Sequence, residues 1–283
     1  MPQGTAPVRE ALAGAMDALG AAGVDSPRLD AELLLAEATG WPRERFATDP
    51  DDSLPSGASR EFAQMVRRRI RREPVAYILG RKGFRGLDLE VDPRVLIPRP
   101  ETELLVEIAV ELDPASVLDV GTGSGAVALS VADELPEAEV TATDTSADAL
   151  RVAQANAARL GLERVSFATG TLPARGSFEL LLANLPYVGE GEWEALAPEI
   201  REYEPRTALV PGPTGTEAIE SLVAQLAADP GLTAAVALEV GVGQAGAAEA
   251  LLEGAGFARV ESRADLAGID RVVLGRRNRE GER

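Results

Sequence analysis

The 283-residue chain contains no cysteine and no histidine. The first absence excludes disulfides, thiolate nucleophiles and cysteine-based metal sites. The second removes the commonest general base and the commonest metal ligand of proteins. Any catalysis must therefore use carboxylates, amides, hydroxyls, arginine, backbone groups or a bound cofactor, and no metal site is predicted.

Long apolar runs are also missing, because acidic residues such as Asp119 and Glu239 interrupt each of them. A membrane-spanning helix needs about 20 consecutive apolar residues. The N-terminus lacks the positively charged segment of a signal peptide and carries Glu10 in its first predicted helix. These features predict a cytoplasmic protein without membrane contact.

Basic residues are few, with 28 Lys and Arg against 46 Asp and Glu, which gives a net charge of −18. Such a charge disfavours broad, sequence-independent binding to nucleic acid. Nine Arg or Lys and only two Glu nevertheless lie between Arg60 and Arg85. The sequence leaves open whether this basic segment is a solvated helix face with a loop or an electropositive surface for an RNA-associated partner.

The N-terminal part of the chain is predicted to be helical. Apolar residues recur at helical spacing around Leu12, after the Ser26-Pro27 pair and around Phe62. Ser26 and Pro27 are typical of a helix start. Residues 1–73 are therefore predicted to form a small helical bundle with a role in substrate recognition.

Residues 74–100 contain two short extended runs, around 84–87 and 89–91, and are predicted to form a β-hairpin linker. From residue 101 to 283, strands alternate with helices. The predicted strands are 116–120, 139–144, 165–169, 178–184, 234–241, 258–263 and 271–276. This alternation indicates an α/β domain with a doubly wound sheet. The loop before the last strand is too short for a parallel crossover, so the last strand pair is predicted to be antiparallel.

A glycine-rich turn, VLDVGTGSGAVAL, lies between the first of these strands and the next helix. It places Asp119, Gly121, Gly123 and Gly125 in a D-x-G-x-G-x-G pattern. Glycines let the backbone turn tightly and approach a ligand, and the helix N-terminus offers free N–H groups to an anion. The turn is therefore a candidate cofactor site.

Asp144 ends the following strand, where a carboxylate can accept hydrogen bonds from both ribose hydroxyls of an adenosine. NAD and S-adenosylmethionine both contain adenosine, but the dinucleotide fingerprint is G-x-G-x-x-G. The pattern here resembles the nucleotide loop of class I methyltransferases that use S-adenosylmethionine. The resemblance implies a seven-stranded sheet with an antiparallel edge, and a cofactor ammonium near Asp119 or the adjacent backbone.

Asn184, Leu185, Pro186 and Tyr187 follow the fourth predicted strand of this region, at the edge where open α/β sheets place ligands. An isolated Asn-x-Pro-Tyr is a common turn sequence. Here it resembles the Asn-Pro-Pro-Tyr signature of methyltransferases that act on glutamine amides, adenine N6 or guanine N2. The Asn184 side-chain oxygen and the Leu185 carbonyl are predicted to hold the accepting nitrogen, Tyr187 to cover its flat face and Pro186 to stiffen the turn.

Further segments narrow this resemblance. They are EPVAYILG (73–80), VLIPRPETE (95–103), Glu204-Pro205 and LEVGVGQ (238–244). Together with the glycine turn they resemble the protein-glutamine N5-methyltransferases of class 1 peptide-chain release factors, over nearly the whole chain. The implied reaction is methyl transfer from S-adenosylmethionine to the glutamine of the Gly-Gly-Gln motif, which leaves S-adenosylhomocysteine and modulates translation termination.

The predicted site residues follow from the motifs and the resemblance together. The predicted catalytic residues are Asn184, Leu185, Pro186 and Tyr187. The predicted cofactor-binding residues are Asp119, Gly121, Thr122, Gly123, Gly125, Asp144, Thr171 and Asn184. The predicted substrate-binding residues are Asn184, Leu185, Pro186, Tyr187, Glu204, Pro205, Arg99 and Glu101. The expected partner is a release factor, and the expected state is a monomer without stable nucleic-acid binding.

Two positions depart from the family pattern. Leu185 replaces a proline, which removes a restraint on φ and adds an N–H group. Thr171 stands where the family usually has an acid that meets the adenine amino group. Three alternatives stay open: a glutamine of a ribosomal protein as substrate, methylation of adenine or guanine in nucleic acid, and a homologue that binds S-adenosylmethionine with reduced activity.

Overall fold

The computed structural model describes residues 6–173 and 176–278. The chain divides into two compact units. The helical unit contains the chain up to Gly80 together with Ala197–Tyr203, and the sheet unit contains Arg81–Leu196 and the chain from Glu204 onward. The sequence prediction placed the first boundary at residue 73. The helical unit continues beyond it because Ile78 is buried in that unit's apolar core.

Within the described residues, helices and strands take the following bounds. The helices are α1 (Val8–Ala21), α2 (Pro27–Thr39), α3 (Glu44–Thr48), α4 (Ala58–Ile70), α5 (Val75–Leu79), α6 (Glu103–Leu112), α7 (Ala126–Glu134), α8 (Ala147–Leu160), α9 (Pro198–Tyr203), α10 (Glu217–Ala228) and α11 (Ala245–Gly254). The strands are β1 (Arg81–Phe84), β2 (Leu87–Glu90), β3 (Ser116–Val120), β4 (Glu139–Asp144), β5 (Ser166–Thr169), β6 (Phe178–Ala183), β7 (Thr233–Glu239), β8 (Arg259–Ala264) and β9 (Asp270–Arg276). Short 3-10 helices span Pro100–Thr102, Glu190–Ala195 and Arg206–Ala208.

The helical unit is built around the predicted apolar stripes. Leu19 of α1, Leu34 of α2 and Phe62 of α4 are buried in one core. Burial of each such side chain contributes roughly 1.5–3 kcal/mol relative to exposure. Gly40 ends α2 in the left-handed conformation, with φ of 67°, which glycine adopts without a Cβ penalty. The apolar residues that recur at helical spacing therefore form the core of this unit.

A buried arginine ties α9 to the helical unit. Arg69 donates from Nε to Asp30 (2.7 Å) and from its terminal nitrogen to Glu199 (2.8 Å), and its side chain is only 7% exposed. Arg72 donates to both oxygens of Glu199, each at 2.7 Å. Two arginines of the basic segment between Arg60 and Arg85 are thus neutralised internally and do not contribute to a free basic face.

The sheet unit begins with the predicted β-hairpin, although one of its extended runs was placed wrongly. β1 and β2 pair antiparallel, with Phe84 opposite Leu87. Arg85 and Gly86 form the turn with φ of 48° and 86°, the pattern of a two-residue hairpin with both central residues at positive φ. The predicted run 84–87 therefore contains the turn. Arg-Gly lacks the Asn or Asp that usually marks such a turn.

The seven-stranded sheet has the order β5-β4-β3-β6-β7-β9-β8. The strands from β5 to β7 are parallel, and β9 runs antiparallel to both β7 and β8. Two apolar clusters bury the central strands, one containing Leu180 and Leu182 and the other containing Leu181. The predicted fold class is confirmed. In the described part of the chain, no helix combines the length and apolar character that crossing a bilayer requires.

Replacing Arg69 tests the buried ion pair. Arg69→Ala leaves Asp30 and Glu199 without this cation. It is therefore expected to lower the free energy of unfolding by about 3–5 kcal/mol, the usual effect of removing one partner of a buried ion pair. Arg67→Ala is the matched control on the same helix, because Arg67 is exposed and surface changes usually stay within about 0.5 kcal/mol.

The chain's two tryptophans, Trp41 and Trp193, lie one in each unit. A Trp193→Phe background therefore makes fluorescence-detected urea unfolding report on the helical unit. Equal unfolding midpoints for the two arginine variants would contradict the stabilising role of Arg69.

Candidate active site

The winding of the sheet changes direction between β3 and β6, since β4 flanks β3 on one side and β7 flanks β6 on the other. The register pairs Val120 with Ala183. The chain therefore leaves these neighbouring strands at Gly121 and Asn184, side by side. Ligands of open α/β sheets bind in the crevice outside such a switch point. The structure brings the predicted cofactor turn and the predicted acceptor motif together there.

Backbone conformation explains the glycines of the turn. Gly121, Gly123 and Gly125 have φ of 76°, 56° and 85°, a region that glycine enters without steric cost. A Cβ on Gly125 would lie 2.9 Å from the Leu129 side chain. A Cβ on Gly123 would meet no atom within 4 Å. Gly125 thus allows α7 to start close to its neighbours, whereas Gly123 borders open space.

Asp119 is an internal anchor of this turn. Its carboxylate accepts hydrogen bonds from the Thr122 hydroxyl (2.7 Å) and the Ala128 amide (3.2 Å), and the residue is 2% exposed. Burial raises the pKa of Asp119 to about 7, and the negative charge of Asp144 raises it further. Asp119 and Thr122 therefore fasten the turn to the first turn of α7, and their side chains contact each other.

Asp144 lies at the end of β4 with a half-buried carboxylate. One oxygen accepts from the Gly123 amide (2.9 Å) and the other accepts from the Ser146 amide (2.8 Å). A carboxylate oxygen can accept more than one hydrogen bond, so both oxygens retain acceptor capacity. Asp144 therefore holds the glycine turn in place and still presents an acceptor surface.

One cleft gathers most of the predicted residues. Its lining includes Asp119, Gly121, Thr122, Gly123, Asp144, Thr171, Asn184, Leu185, Pro186, Arg99, Thr102 and Pro205. The Thr171 carbonyl accepts from the Thr143 hydroxyl at 2.8 Å, which attaches that wall to β4. Glu101 and Tyr187 act on the site from beside the cleft, as described below.

The Asn184 side chain has a fixed orientation. Its amide nitrogen donates to the Thr102 hydroxyl at 3.0 Å, and Thr102 is only 4% exposed. The amide oxygen is left as the available acceptor. The next side chain, Leu185, lies over Gly121, because its Cδ2 is 3.0 Å from the position of an added Gly121 Cβ. The acceptor motif and the cofactor turn are therefore in direct contact.

Tyr187 is held by its backbone and by its ring. Its carbonyl accepts from the Gln244 side chain at 2.9 Å, and its hydroxyl donates to Glu239 at 3.5 Å. Burial raises the pKa of Tyr187 to about 12, and the charge of Glu239 adds to this effect. The phenol stays neutral at physiological pH and serves as a donor.

Glu239 is a buried carboxylate behind the acceptor motif. It ends β7 and is 2% exposed, and its Oε2 has no hydrogen-bond partner among the described residues. Burial raises the pKa of Glu239 to about 7, hydrogen bonds from Thr102 and Tyr187 lower it, and the negative charge of Glu101 raises it. Glu101 therefore influences the site through its charge.

Arg99 and Glu204, both predicted to bind substrate, form an ion pair with each other. The second oxygen of Glu204 accepts from the Ile97 amide at 3.1 Å, and Glu204 is 5% exposed. The pair fixes the chain segment before Pro100–Thr102 against Glu204-Pro205. In this structure the two charges neutralise each other and stabilise the cleft wall.

Comparisons with known proteins agree with this architecture. A family model described as PrmC N-terminal domain matches residues 10–80, and one described as Methyltransferase domain matches residues 117–203. The release factor glutamine methyltransferase of Caulobacter vibrioides is 40% identical over 279 residues, which cover 95% of this chain and 96% of that protein. The chain belongs to the release factor glutamine methyltransferase family.

A second family member, from Moorella thermoacetica, is 42% identical and covers 96% of this chain and 99% of its own length. Among solved structures, the N-terminal domain of human METTL16 in complex with SAH is similar with a TM-score of 0.52. It is 12% identical and covers 69% of this chain and 77% of that chain. The similarity to the METTL16 domain concerns the fold alone. The family resemblance inferred from the motifs is confirmed.

Sequence reasoning missed several residues that hold the site of this methyltransferase family member. Thr102 and Glu239 lie within the quoted segments VLIPRPETE and LEVGVGQ, but neither was assigned a role. Gln244 and Gly215, which contact the backbone of Tyr187, were missed too. Their partners are distant in the chain, so no local spacing indicates the contacts.

Gly215 provides a test of the packing around Tyr187. Its φ is 84°, and an added Cβ would lie 2.5 Å from the Tyr187 carbonyl oxygen. Gly161 also has positive φ, 71°, but an added Cβ there would meet no atom within 4 Å. Both alanine variants are destabilised by roughly 1–2 kcal/mol, because alanine is strained in the left-handed conformation. Only Gly215→Ala is also expected to displace Tyr187.

Gly215→Ala is therefore expected to lower both the urea midpoint and methyl transfer more than Gly161→Ala does. The measurements are urea unfolding and methyl transfer from labelled S-adenosylmethionine. If the two variants matched in both, the close approach of Gly215 to Tyr187 would have no functional weight.

Proposed function

We propose that this protein transfers a methyl group from S-adenosylmethionine to the side-chain amide nitrogen of the glutamine in the Gly-Gly-Gln motif of class 1 peptide-chain release factors. The family membership supports the substrate. The observation that carries the chemistry is the Asn184 amide, whose nitrogen is bound to Thr102 and whose oxygen remains free beside the glycine turn. That arrangement suits an acceptor with two N–H hydrogens.

The residues of the cleft fit S-adenosylmethionine. Asp144 retains acceptor capacity for ribose hydroxyls, and the first-turn amides of α7 other than that of Ala128, which donates to Asp119, suit a carboxylate. Asp119 and the turn backbone lie where an ammonium would bind, and Thr171 belongs to the wall expected to face the adenine. When bound, the cofactor supplies an electrophilic methyl group on a sulfonium.

The protein's contribution to the reaction is orientation and electrostatics. An amide nitrogen is a poor nucleophile because its lone pair is delocalised into the carbonyl. The Asn184 oxygen and the Leu185 carbonyl accept the two amide hydrogens, which holds the nitrogen in one direction and favours the positive charge that develops on it. Tyr187 covers the flat face of the amide, and Pro186 restrains the backbone of Leu185.

Proton removal needs no dedicated base in this mechanism. The nitrogen becomes strongly acidic once it carries the new methyl group, so its proton leaves after transfer. A chain without histidine is compatible with such a reaction. The two Asn184 and Leu185 acceptors bind these hydrogens until one of them is released.

Arg99, Glu101, Glu204 and Pro205 form the outer part of the proposed substrate site. The Arg99–Glu204 ion pair positions Pro205 in the cleft wall, and Glu101 adds negative charge near Tyr187. We infer that these residues shape the entrance for the Gly-Gly-Gln loop. The same proposal includes a cytoplasmic monomer that modulates translation termination and does not bind nucleic acid stably. The net charge of −18 disfavours nucleic-acid binding.

Asn184→Ala tests the acceptor role. Without the side-chain oxygen, methyl transfer to a release factor should fall by a factor of 10² or more, on the order of losing one preorganised polar group at a reaction centre. S-adenosylmethionine should still bind, which isothermal titration calorimetry measures. Mass spectrometry of the release factor locates the added methyl group in wild type.

Methylation of DNA or rRNA but of no protein substrate would overturn the proposed function. Transfer to a ribosomal protein and not to a release factor would instead change the substrate within the same reaction. Binding of S-adenosylmethionine without any transfer would indicate a homologue that has lost activity.

Leu185→Pro tests the departure from Asn-Pro-Pro-Tyr. Position 185 contributes its carbonyl, which proline also has, and Pro186 already restrains it. The variant is expected to retain activity and to change stability by about 0.4–1 kcal/mol, the usual effect of proline in a compatible conformation. Complete loss of methyl transfer by a folded Leu185→Pro protein would contradict this description of the loop.

A further inference from the structure

A buried polar chain connects three separate parts of the sheet unit behind the acceptor motif. Glu239 ends β7, and the register pairs its neighbour Leu238 with Ala183, the residue before Asn184. Glu239 and Asn184 therefore leave adjacent strands at the same level. Thr102, at the start of α6, accepts a hydrogen bond from Asn184 at 3.0 Å, and its hydroxyl interacts with the Glu239 carboxyl and lowers the pKa of that group. Thr102 and Glu239 are 4% and 2% exposed.

The donors and acceptors of this chain can be assigned one by one. A threonine hydroxyl has a single hydrogen. If that hydrogen goes to the ionised carboxylate of Glu239, the hydroxyl oxygen can only accept from Asn184. The Asn184 nitrogen then faces Thr102, as the 3.0 Å contact shows, and the Asn184 oxygen faces the cleft. The opposite amide orientation would place N–H donors against the N–H donors of a substrate amide.

We propose that Glu239 is a positioning residue that acts through Thr102 to keep the acceptor oxygen of Asn184 directed at the substrate nitrogen. This inference rests on the proposed function, since it assumes that a planar N–H₂ group is methylated. The Tyr187 hydroxyl, 3.5 Å from Glu239, binds the same carboxylate. One buried anion thus orients both functional side chains of the motif, the amide and the ring.

The charge state of Glu239 then controls the orientation. The groups that face it are Thr102, Tyr187, Glu101 and Arg271, and Arg271 lowers the pKa of Glu239 by its positive charge. Burial outweighs these effects and raises the pKa to about 7. A protonated Glu239 can donate to Thr102, which frees the threonine hydrogen for the Asn184 oxygen. The aligned acceptor is therefore present above this pKa and is lost as the pH falls through it.

Neutral-range titration is unusually easy to assign in this protein. The chain has no histidine and no cysteine. Among the described carboxyl groups, Asp119 is the other one whose pKa burial raises to about 7. Asp119 belongs to the cofactor turn, so the affinity for S-adenosylmethionine, measured across the same pH range, reports its titration separately from that of Glu239.

The first experiment compares Thr102→Val with Thr102→Ser. Valine has the shape of threonine without the hydroxyl, whereas serine keeps the hydroxyl. We expect kcat for release-factor methylation to fall roughly 10- to 100-fold in Thr102→Val, the range of a misplaced catalytic group, and to recover in Thr102→Ser. The Kd for S-adenosylmethionine should be unchanged in both. Equal kcat values for the two variants would overturn the proposal.

The second experiment measures pH dependence in Glu239→Gln. Wild-type kcat, measured at saturating S-adenosylmethionine, should rise between pH 6 and pH 8, and this rise should be absent in Glu239→Gln. Thermal unfolding at each pH verifies that all variants are folded. A rise that persists unchanged in Glu239→Gln would contradict control by this carboxyl group.

A third readout needs no substrate. In ¹⁵N-labelled protein, the Asn184 side-chain amide signals are assigned by their absence from Asn184→Ala. They should shift between pH 6 and pH 8 in wild type and not in Glu239→Gln. If these signals titrate while no release factor is methylated, the proposed function fails and the positioning chain stands. If release factor is methylated but the signals do not titrate, the positioning chain is wrong.

Discussion

The pairing of β3 with β6 is the constraint on which the site depends. Because Val120 lies opposite Ala183, the two chain segments that leave these strands must share one small volume. Gly121 has φ of 76°, which favours glycine, and an added Cβ would lie 3.0 Å from the Leu185 side chain, which would have to shift. The glycine turn therefore lines the cleft on one side and contacts the acceptor motif on the other.

Two buried carboxyl groups hold segments that meet at the cleft. Asp119 fastens the glycine turn, and Glu239 accepts from the Tyr187 hydroxyl; both are 2% exposed. Burial of a carboxylate is unfavourable unless hydrogen bonds compensate for lost hydration. Asp119 accepts from the Thr122 hydroxyl and the Ala128 amide, and Glu239 accepts from the Tyr187 hydroxyl at 3.5 Å. Each half of the site thus contains a buried acid that accepts from a hydroxyl group.

The fold was largely predictable, because it rests on local patterns. The alternation of strands and helices, the short last connection and the glycine turn identified the doubly wound sheet with its antiparallel edge. The turn of the first hairpin was misplaced because Arg85-Gly86 carries a weak signal. The positive φ of Arg85 depends on strand pairing that residue spacing alone does not specify.

The site was predictable only in part, for a related reason. Asn184 and Asp144 belong to local motifs, so the sequence alone indicates them as candidate site residues. Thr102 lies 82 positions from Asn184 in the chain, and their contact follows from three-dimensional register. Arg99 and Glu204 were predicted to bind substrate, but the sequence did not reveal that they pair with each other. Residue type and motif indicate participation, whereas the role of each residue depends on its partner.

The composition of the helical unit has a consequence for dividing the protein. Ala197–Tyr203 belongs to that unit, although the sheet unit surrounds it in sequence. A fragment starting at Arg81 would retain Glu199 but would lack Arg69 and Arg72, the cations that bind it. The next residue after this segment is Glu204, which braces Arg99 at the cleft. A shortened protein with a complete sheet unit would therefore carry α9 without the arginines that bind it. That helix is joined directly to Glu204 in the cleft wall.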